Sequence, residues 1–252
     1  MQDPWTDLRK FTAARIALGR AGGSLPTDAL LDFRLSHAKA RDAVHAPFDP
    51  DSLAAELRPL HENVLVVNSC AKNRTDYLLR PDQGRTLDET SRAALTSCRQ
   101  PDGHDLIIIV SDGLSSHAVH RQVPELLKHL LPRFDESWRL GPIVVVRHGR
   151  VAIQDEIGHL LDARISLMLL GERPGLGSPD SLGAYFTHRP RPGLTDADRN
   201  CVSNIRPEGL PPDAAAFRLH HLLTASRQNA ISGVGLKDES MISPPLSLGT
   251  TA

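Results

Sequence analysis

The histidines of the chain are its first candidates for chemistry, because His117-x-x-His120 would place two imidazoles on one face of a helix. A zinc site takes three or four ligands, and no Asp, Glu or Cys stands at a supporting spacing. His220 and His221 are adjacent, so on a helix they point apart and cannot share one ion. We therefore predict no metal site and interpret His117 and His120 as partly exposed helix residues.

Two loops rich in glycine and serine are the next candidates. The segment Ser111-Asp112-Gly113-Leu114-Ser115 lacks the G-x-S-x-G elbow of the α/β-hydrolases, which disfavours a catalytic triad. The loop Gly171–Gly177 reads G-x-x-x-G-x-G, whereas a dinucleotide site needs G-x-G-x-x-G and a P-loop ends in Lys-Ser/Thr. Its spacing leaves Glu172 open to two interpretations, a ligand contact or a solvated turn residue.

Cys201 has no helix start or base beside it to lower the pKa of its thiol. The surrounding residues therefore favour a small apolar side chain over a nucleophile. With the histidines and serines already set aside, we predict no catalytic residue in this chain.

The elements that must position these residues alternate along the chain. Four apolar runs are nearly continuous in hydrophobicity, which is typical of strands buried on both faces: Val64–Val67, Leu106–Val110, Ile143–Val146 and Ile165–Leu170. Helical patterns separate them: Leu87–Cys98, Ser115–Leu131 and Ile153–Leu161. This order predicts an α/β protein with a doubly wound, mostly parallel sheet.

The ends of the chain have a different texture. A helix is predicted from Thr27 or Asp28 to Ala38, and a second short helix opens at Asp51 or Ser52. We expect residues 1–60 to form a helical N-terminal extension that packs outside the main domain or against a partner. Residues 61–252 then form the sheet domain.

Ligands of an open parallel sheet bind beyond the carboxyl ends of the strands, and Glu172 directly follows the fourth run. The stretch from Gly171 to Pro212 is rich in Gly, Pro and Ser with little periodicity, which predicts a long, ordered, irregular loop. A last helix is predicted over Ala214–Gln228. The tail after Gly233 has no core-forming pattern.

Composition excludes several classes of protein. Lys and Arg total 29 against 30 for Asp and Glu, so no basic excess exists for nucleic acid or a membrane surface. The three cysteines show no CxxC spacing, no signal peptide is visible at the start, and no apolar run is long enough to span a bilayer. We expect a reduced, cytoplasmic location.

Several blocks of the chain resemble the light chain of ethanolamine ammonia-lyase, in order and spacing, from Asp3 to about Gly233. They are Asp3-Pro4-Trp5, Ala14–Gly23, Asp76-Tyr77-Leu78 with Arg80-Pro81-Asp82, Ser111–Ser115, Gly171–Leu176 and Arg199–Arg206. The resemblance implies an enzyme that converts 2-aminoethanol to acetaldehyde and ammonia by a radical route, with adenosylcobalamin as the source of the radical.

The resemblance also implies a division of labour within a hetero-oligomer. A heavy subunit, a TIM barrel, holds the substrate, and the light subunit, with a Rossmann-like domain, covers the opposite face of the corrin. The resemblance does not decide whether the enzyme is encapsulated in a bacterial microcompartment. The light-chain cobalamin contacts of the family match Val151, Glu172 and Cys201 of this sequence. A carboxylate can accept hydrogen bonds from the amides of the corrin edge, and the other two side chains offer compact apolar contact.

Many cobalamin-binding domains of this type use Asp-x-His-x-x-Gly, whose histidine replaces the benzimidazole on cobalt. The nearest approach here begins at Asp102-Gly103-His104, and Ile107 stands where that motif needs glycine. We therefore expect the cofactor to bind base-on, with its own base on cobalt. Two other interpretations stay open from the residues alone: a nucleotide-binding enzyme of Rossmann type, and a noncatalytic interaction protein with a helical docking arm.

Overall fold

The computed structural model describes residues 5–12 and 14–240. Its strands are β1 (Val64–Asn68), β2 (His104–Ser111), β3 (Leu140–Arg147), β4 (Ala163–Gly171), β5 (Leu182–His188) and β6 (Arg199–Ile205). Its α-helices are α1 (Thr27–His45), α2 (Pro50–Leu57), α3 (Arg74–Leu79), α4 (Glu89–Ser97), α5 (Ser116–Leu130), α6 (Ile153–Leu160) and α7 (Pro212–Asn229).

The six strands form one mixed sheet in the order β1-β3-β2-β4-β5-β6. The first four in this order are parallel, whereas β5 and β6 are antiparallel to their neighbours. Val110 on the central strand β2 lies beside Val145 of β3 and Leu169 of β4, and all three are fully buried. The α/β class and the four strands predicted from apolar runs are confirmed.

Helices cover both faces of the sheet. Leu53 of α2, Val123 of α5 and Leu219 of α7 are buried in the larger core, on one face. Leu95 of α4 and Ile157 of α6 are buried in the second core, on the other face. The connections from β1 to β2 and from β3 to β4 pass over the face that carries α4 and α6, and the connection from β2 back to β3 passes over the other face through α5. This arrangement gives all three crossovers the same hand.

The prediction for the stretch from Gly171 to Pro212 was wrong, because this stretch contains β5 and β6. β6 lies at the edge of the sheet and is only partly buried: Val202 and Ile205 are buried, whereas Cys201, Ser203 and Asn204 are exposed. A short, half-exposed edge strand contains too few apolar residues to stand out beside Gly- and Pro-rich turns.

The N-terminal helices differ in their packing. α1 continues past the predicted Ala38 to His45, and Ala43 is its one buried residue. α2 begins at Pro50, where Asp49 accepts a hydrogen bond from the Ser52 amide at 3.0 Å. The side of α2 that carries Leu53 is buried in the core, so the expectation that this segment packs outside the main domain fails for α2. The division at residue 60 stays a prediction.

The C-terminal helix α7 confirms the prediction to within two residues at its start and one at its end. Beyond it, the Asn200 side chain bonds the backbone of Gly233 and Leu236, which holds the following segment against β6. The rest of the predicted tail, from residue 241, lies outside the described residues, as do Asp3 and Pro4 of the first matching block.

Candidate functional site

The carboxyl ends of the parallel strands meet at one edge of the sheet, and the segments after β3 and β4 bring Val151 and Glu172 together there. Both line a cavity of about 400 Å³, which we call the Glu172 cavity. Its full lining is Tyr77, Leu114, Arg150, Val151, Leu170, Gly171, Glu172, Arg173 and Tyr185. The volume and the mixed lining are typical of a small-molecule site.

Glu172 is half-buried, and its two carboxylate oxygens have different surroundings. Oε2 accepts hydrogen bonds from the Ser181 hydroxyl at 2.5 Å and from the Asn204 amide at 3.2 Å. Oε1 accepts none from the part of the chain that the structure describes. One oxygen therefore ties β4 to the neighbouring strands, and the other is available to a ligand.

Cys201 lies close to this cavity but does not line it. It pairs with Tyr185, which does line the cavity, across β5 and β6. Burial of the sulfur raises the pKa of the Cys201 thiol, and the Glu172 carboxylate adds to the rise. The thiol is therefore protonated at neutral pH, and a protonated thiol is a poor nucleophile. A contact of Cys201 with a cofactor stays a prediction.

Two residues of the cavity wall were missed as candidates. The Arg150 guanidinium lies 4.2 Å from the centre of the Tyr77 ring and donates to the Tyr77 carbonyl oxygen at 2.7 Å. Burial raises the pKa of Tyr77 to about 12, so its phenol stays neutral. Tyr77 lies on the unpredicted helix α3, and only the fold brings it to the loop after β3.

Behind the cavity, the buried Asp112 connects three segments of the carboxyl edge. Its carboxylate accepts from the His148 amide at 2.8 Å and from the Arg74 guanidinium at 2.9 Å. The His148 ring nitrogen Nδ1 lies 3.2 Å from the same carboxylate. These bonds fix the ends of β2 and β3 against α3, so the cavity wall is rigid.

A second cavity of about 420 Å³ adjoins the first and shares Arg150 and Val151 with it. We call it the Arg85 cavity. Its full lining is Pro81, Arg85, Arg150, Val151, Ala152, Leu194, Thr195, Asp196 and Arg199. The two cavities adjoin at the segment after β3, and the second extends from there to the start of β6. We call the two together the cleft.

The buried Arg199 of β6 closes one end of this cleft. Its guanidinium is paired with the carboxylate of Asp155 on α6, and both side chains are about 4% exposed. Burial raises the pKa of Asp155 to about 6, against the opposing effect of Arg199. The pair attaches α6 to β6 and so holds the segment around Val151 in place.

A third cavity, of about 460 Å³, lies at the opposite edge, where His104 and Ala163 begin their strands. It contains none of the predicted contact residues. Two of its four arginines, Arg139 and Arg164, are paired with the buried Asp105. Within residues 5–12 and 14–240, no group of three His, Cys, Asp or Glu could hold a metal ion, and no helix could cross a membrane.

The fold is that of a mixed α/β protein with cavities at the carboxyl ends of its parallel strands. The family model for the ethanolamine ammonia-lyase light chain matches residues 2–237. The chain belongs to the ethanolamine ammonia-lyase light chain family.

Curated relatives cover nearly the whole chain and bear the name ethanolamine ammonia-lyase small subunit. The relative from Pseudomonas fluorescens is 52% identical over 244 residues, which are 96% of this chain and 89% of the relative. The relative from Pseudomonas putida is 53% identical over 250 residues, covering 95% and 89%. The relative from Rhodopseudomonas palustris is 54% identical over 237 residues, covering 94% and 90%.

Proposed function

We propose that this chain, as the light subunit of an ethanolamine ammonia-lyase, clamps adenosylcobalamin through the cleft at its carboxyl edge, while the heavy subunit holds the substrate. The observation that carries the proposal is that Glu172 lines one cavity together with Val151, and that its Oε1 accepts no hydrogen bond from the described residues. Cys201 lies in the same neighbourhood, because it pairs with Tyr185 across β5 and β6.

The residues of the cleft suit a corrin edge. The ring carries amide side chains, whose N–H groups need acceptors once they leave water, and Glu172 offers a negatively charged one. Val151 gives compact apolar contact beside it. A corrin is larger than either cavity, so this chain can enclose only part of it. That limit favours a site completed by the larger subunit.

The position of the nearest histidine motif supports the base-on proposal. His104 begins β2 and therefore lies at the opposite edge of the sheet from Glu172. His148 does lie at the carboxyl edge, but its ring contacts Tyr77 and Asp112, and its side chain is 12% exposed. We propose that neither imidazole reaches cobalt and that the cofactor keeps its own base.

When bound, adenosylcobalamin supplies a radical by homolysis of its cobalt–carbon bond. The residues described here do not take part in that chemistry: Glu172 orients the ring, Val151 and Tyr185 exclude water, and the Asp112 network keeps the wall rigid. We propose that the domain is Rossmann-like in its use of the sheet, since the ligand-facing side chains follow the carboxyl ends of the parallel strands. The three cysteines are free, which supports a reduced, cytoplasmic location.

Ammonia release from 2-aminoethanol tests the proposal. It should require this chain, its heavy partner and adenosylcobalamin together, and omission of any one should abolish it. Release at the full rate without this chain would contradict the proposal.

A further inference from the structure

The Arg85 cavity carries positive charge that no carboxylate among the described residues pairs with. Among the described residues, Arg85 is exposed and its side chain has no ion pair or hydrogen bond, and Arg150 has no ion pair. The third arginine of the lining, Arg199, is neutralised by Asp155. The one carboxylate in the lining belongs to Asp196. Its Oδ1 lies 3.6 Å from Nη1 of Arg199, and its side chain is fully exposed to solvent.

Arg150 stands at the junction of the two cavities in a fixed orientation. One terminal nitrogen bonds the Tyr77 carbonyl, and the guanidinium lies over the Tyr77 ring. Its Nε is buried and has no acceptor in the described part of the chain. A buried donor without a partner costs free energy, so an acceptor from a ligand would stabilise this arrangement.

The backbone adds donors to the same wall. Val151 and Ala152 line the cavity just before α6 begins, and their amides bond no acceptor within residues 5–12 and 14–240. The positive end of the helix dipole is directed at this point. Two guanidinium groups, free amides and a helix start together suit a phosphate group.

We infer that the Arg85 cavity binds the phosphodiester of the cobalamin nucleotide tail, while the Glu172 cavity receives the amide side chains of the corrin. The inference rests on the proposed function and adds a place for a different part of the same ligand. It assigns Arg85 and Arg150 as anion-binding residues, with Arg85 the better one to change because it makes no contact that the fold needs.

Three probes separate this inference from the proposed function. Cyanocobalamin carries the whole nucleotide tail, dicyanocobinamide lacks the tail with its phosphate, and cobinamide phosphate keeps a phosphate without ribose or base. Each is titrated into the assembled complex of this chain and its heavy partner, with the wild-type chain, Arg85→Gln and Arg85→Lys. Arg58→Gln is the matched control, because Arg58 is exposed, unpaired among the described residues and outside all the cavities.

Arg85→Gln should weaken the binding of cyanocobalamin and of cobinamide phosphate about tenfold, which is the effect of losing one charge-assisted contact. It should change dicyanocobinamide affinity less than twofold, and Arg85→Lys should recover most of the loss. Equal loss with all three ligands, or no loss with any, overturns the inference but leaves the proposed function intact. Loss with cyanocobalamin alone assigns Arg85 to the ribose or base and also overturns it. A wild-type complex that binds none of the three overturns both.

Discussion

Replacement of Glu172 by glutamine separates the two roles that the structure gives this side chain. The oxygen Oε2 holds Ser181 and Asn204, and Oε1 is free. In Glu172→Gln the single amide oxygen can accept both internal hydrogen bonds, which turns the NH₂ group toward the cavity. The fold keeps its contact, but the ligand meets a donor where it met an acceptor.

The expected loss follows from that exchange. A corrin amide that leaves water without an acceptor costs about 1–3 kcal/mol, or roughly tenfold to a hundredfold in affinity. Glu172→Ala also removes the partner of Ser181 and Asn204, so it should weaken cobalamin binding more than Glu172→Gln does. The Michaelis constant for 2-aminoethanol should move little in either variant, because we place the substrate on the heavy subunit.

Titration of the assembled complex with cobalamin measures the effect. Ser181→Ala is one control, because it removes a donor to Oε2 and leaves Oε1 unchanged. Glu62→Gln is the other, because Glu62 is exposed and precedes β1, at the edge of the sheet opposite Glu172. A dissociation constant within twofold of wild type in Glu172→Ala, a change under about 0.5 kcal/mol, would show that Glu172 does not contact the cofactor and is only a solvated turn residue.

Three further predictions follow from the same cleft. The purified chain alone should release no ammonia from 2-aminoethanol, and turnover by it would contradict the assignment of catalysis to the heavy subunit. Electron paramagnetic resonance of the cob(II)alamin state, with ¹⁵N-histidine in the holoenzyme, should show no coupling to a protein imidazole, whereas such coupling would rule out base-on binding. Arg199→Met should lower the free energy of unfolding by about 3–5 kcal/mol at pH 8, because it leaves the Asp155 carboxylate buried and unpaired. Burial raises the pKa of Asp155 to about 6 even beside Arg199, and loss of Arg199 should raise that pKa further. The carboxyl is therefore protonated at pH 5 in the variant, and denaturant unfolding should show a smaller loss there.

The parallel half of the sheet could be predicted because three of its four strands, β2, β3 and β4, are buried on both faces. Continuous apolar runs such as Ile143–Val146 result from that burial, and the observed strands extend each run by only a few residues. β5 and β6 could not be predicted in the same way. They pair antiparallel at the edge of the sheet, and β6 exposes Cys201, Ser203 and Asn204.

The residues of the candidate site also fall into those that the sequence could predict and those that it could not. Glu172 could be placed at the carboxyl edge because it directly follows an apolar run, and the structure puts it there together with Val151. Tyr77 and Arg150 could not be found from spacing, because their contact joins α3 to the loop after β3 across a long separation in sequence. The Asp155 and Arg199 pair depends on β6, which was not predicted.

Hydrogen–deuterium exchange of the assembled complex, with and without cobalamin, tests the location of the cleft most directly. Cobalamin should slow exchange in residues 148–152, 171–173 and 199–204, which form or support the two adjoining cavities. Exchange around residues 102–104 and 189–191, at the opposite edge of the sheet, should stay unchanged. Protection at the opposite edge without protection at the carboxyl edge would contradict the account.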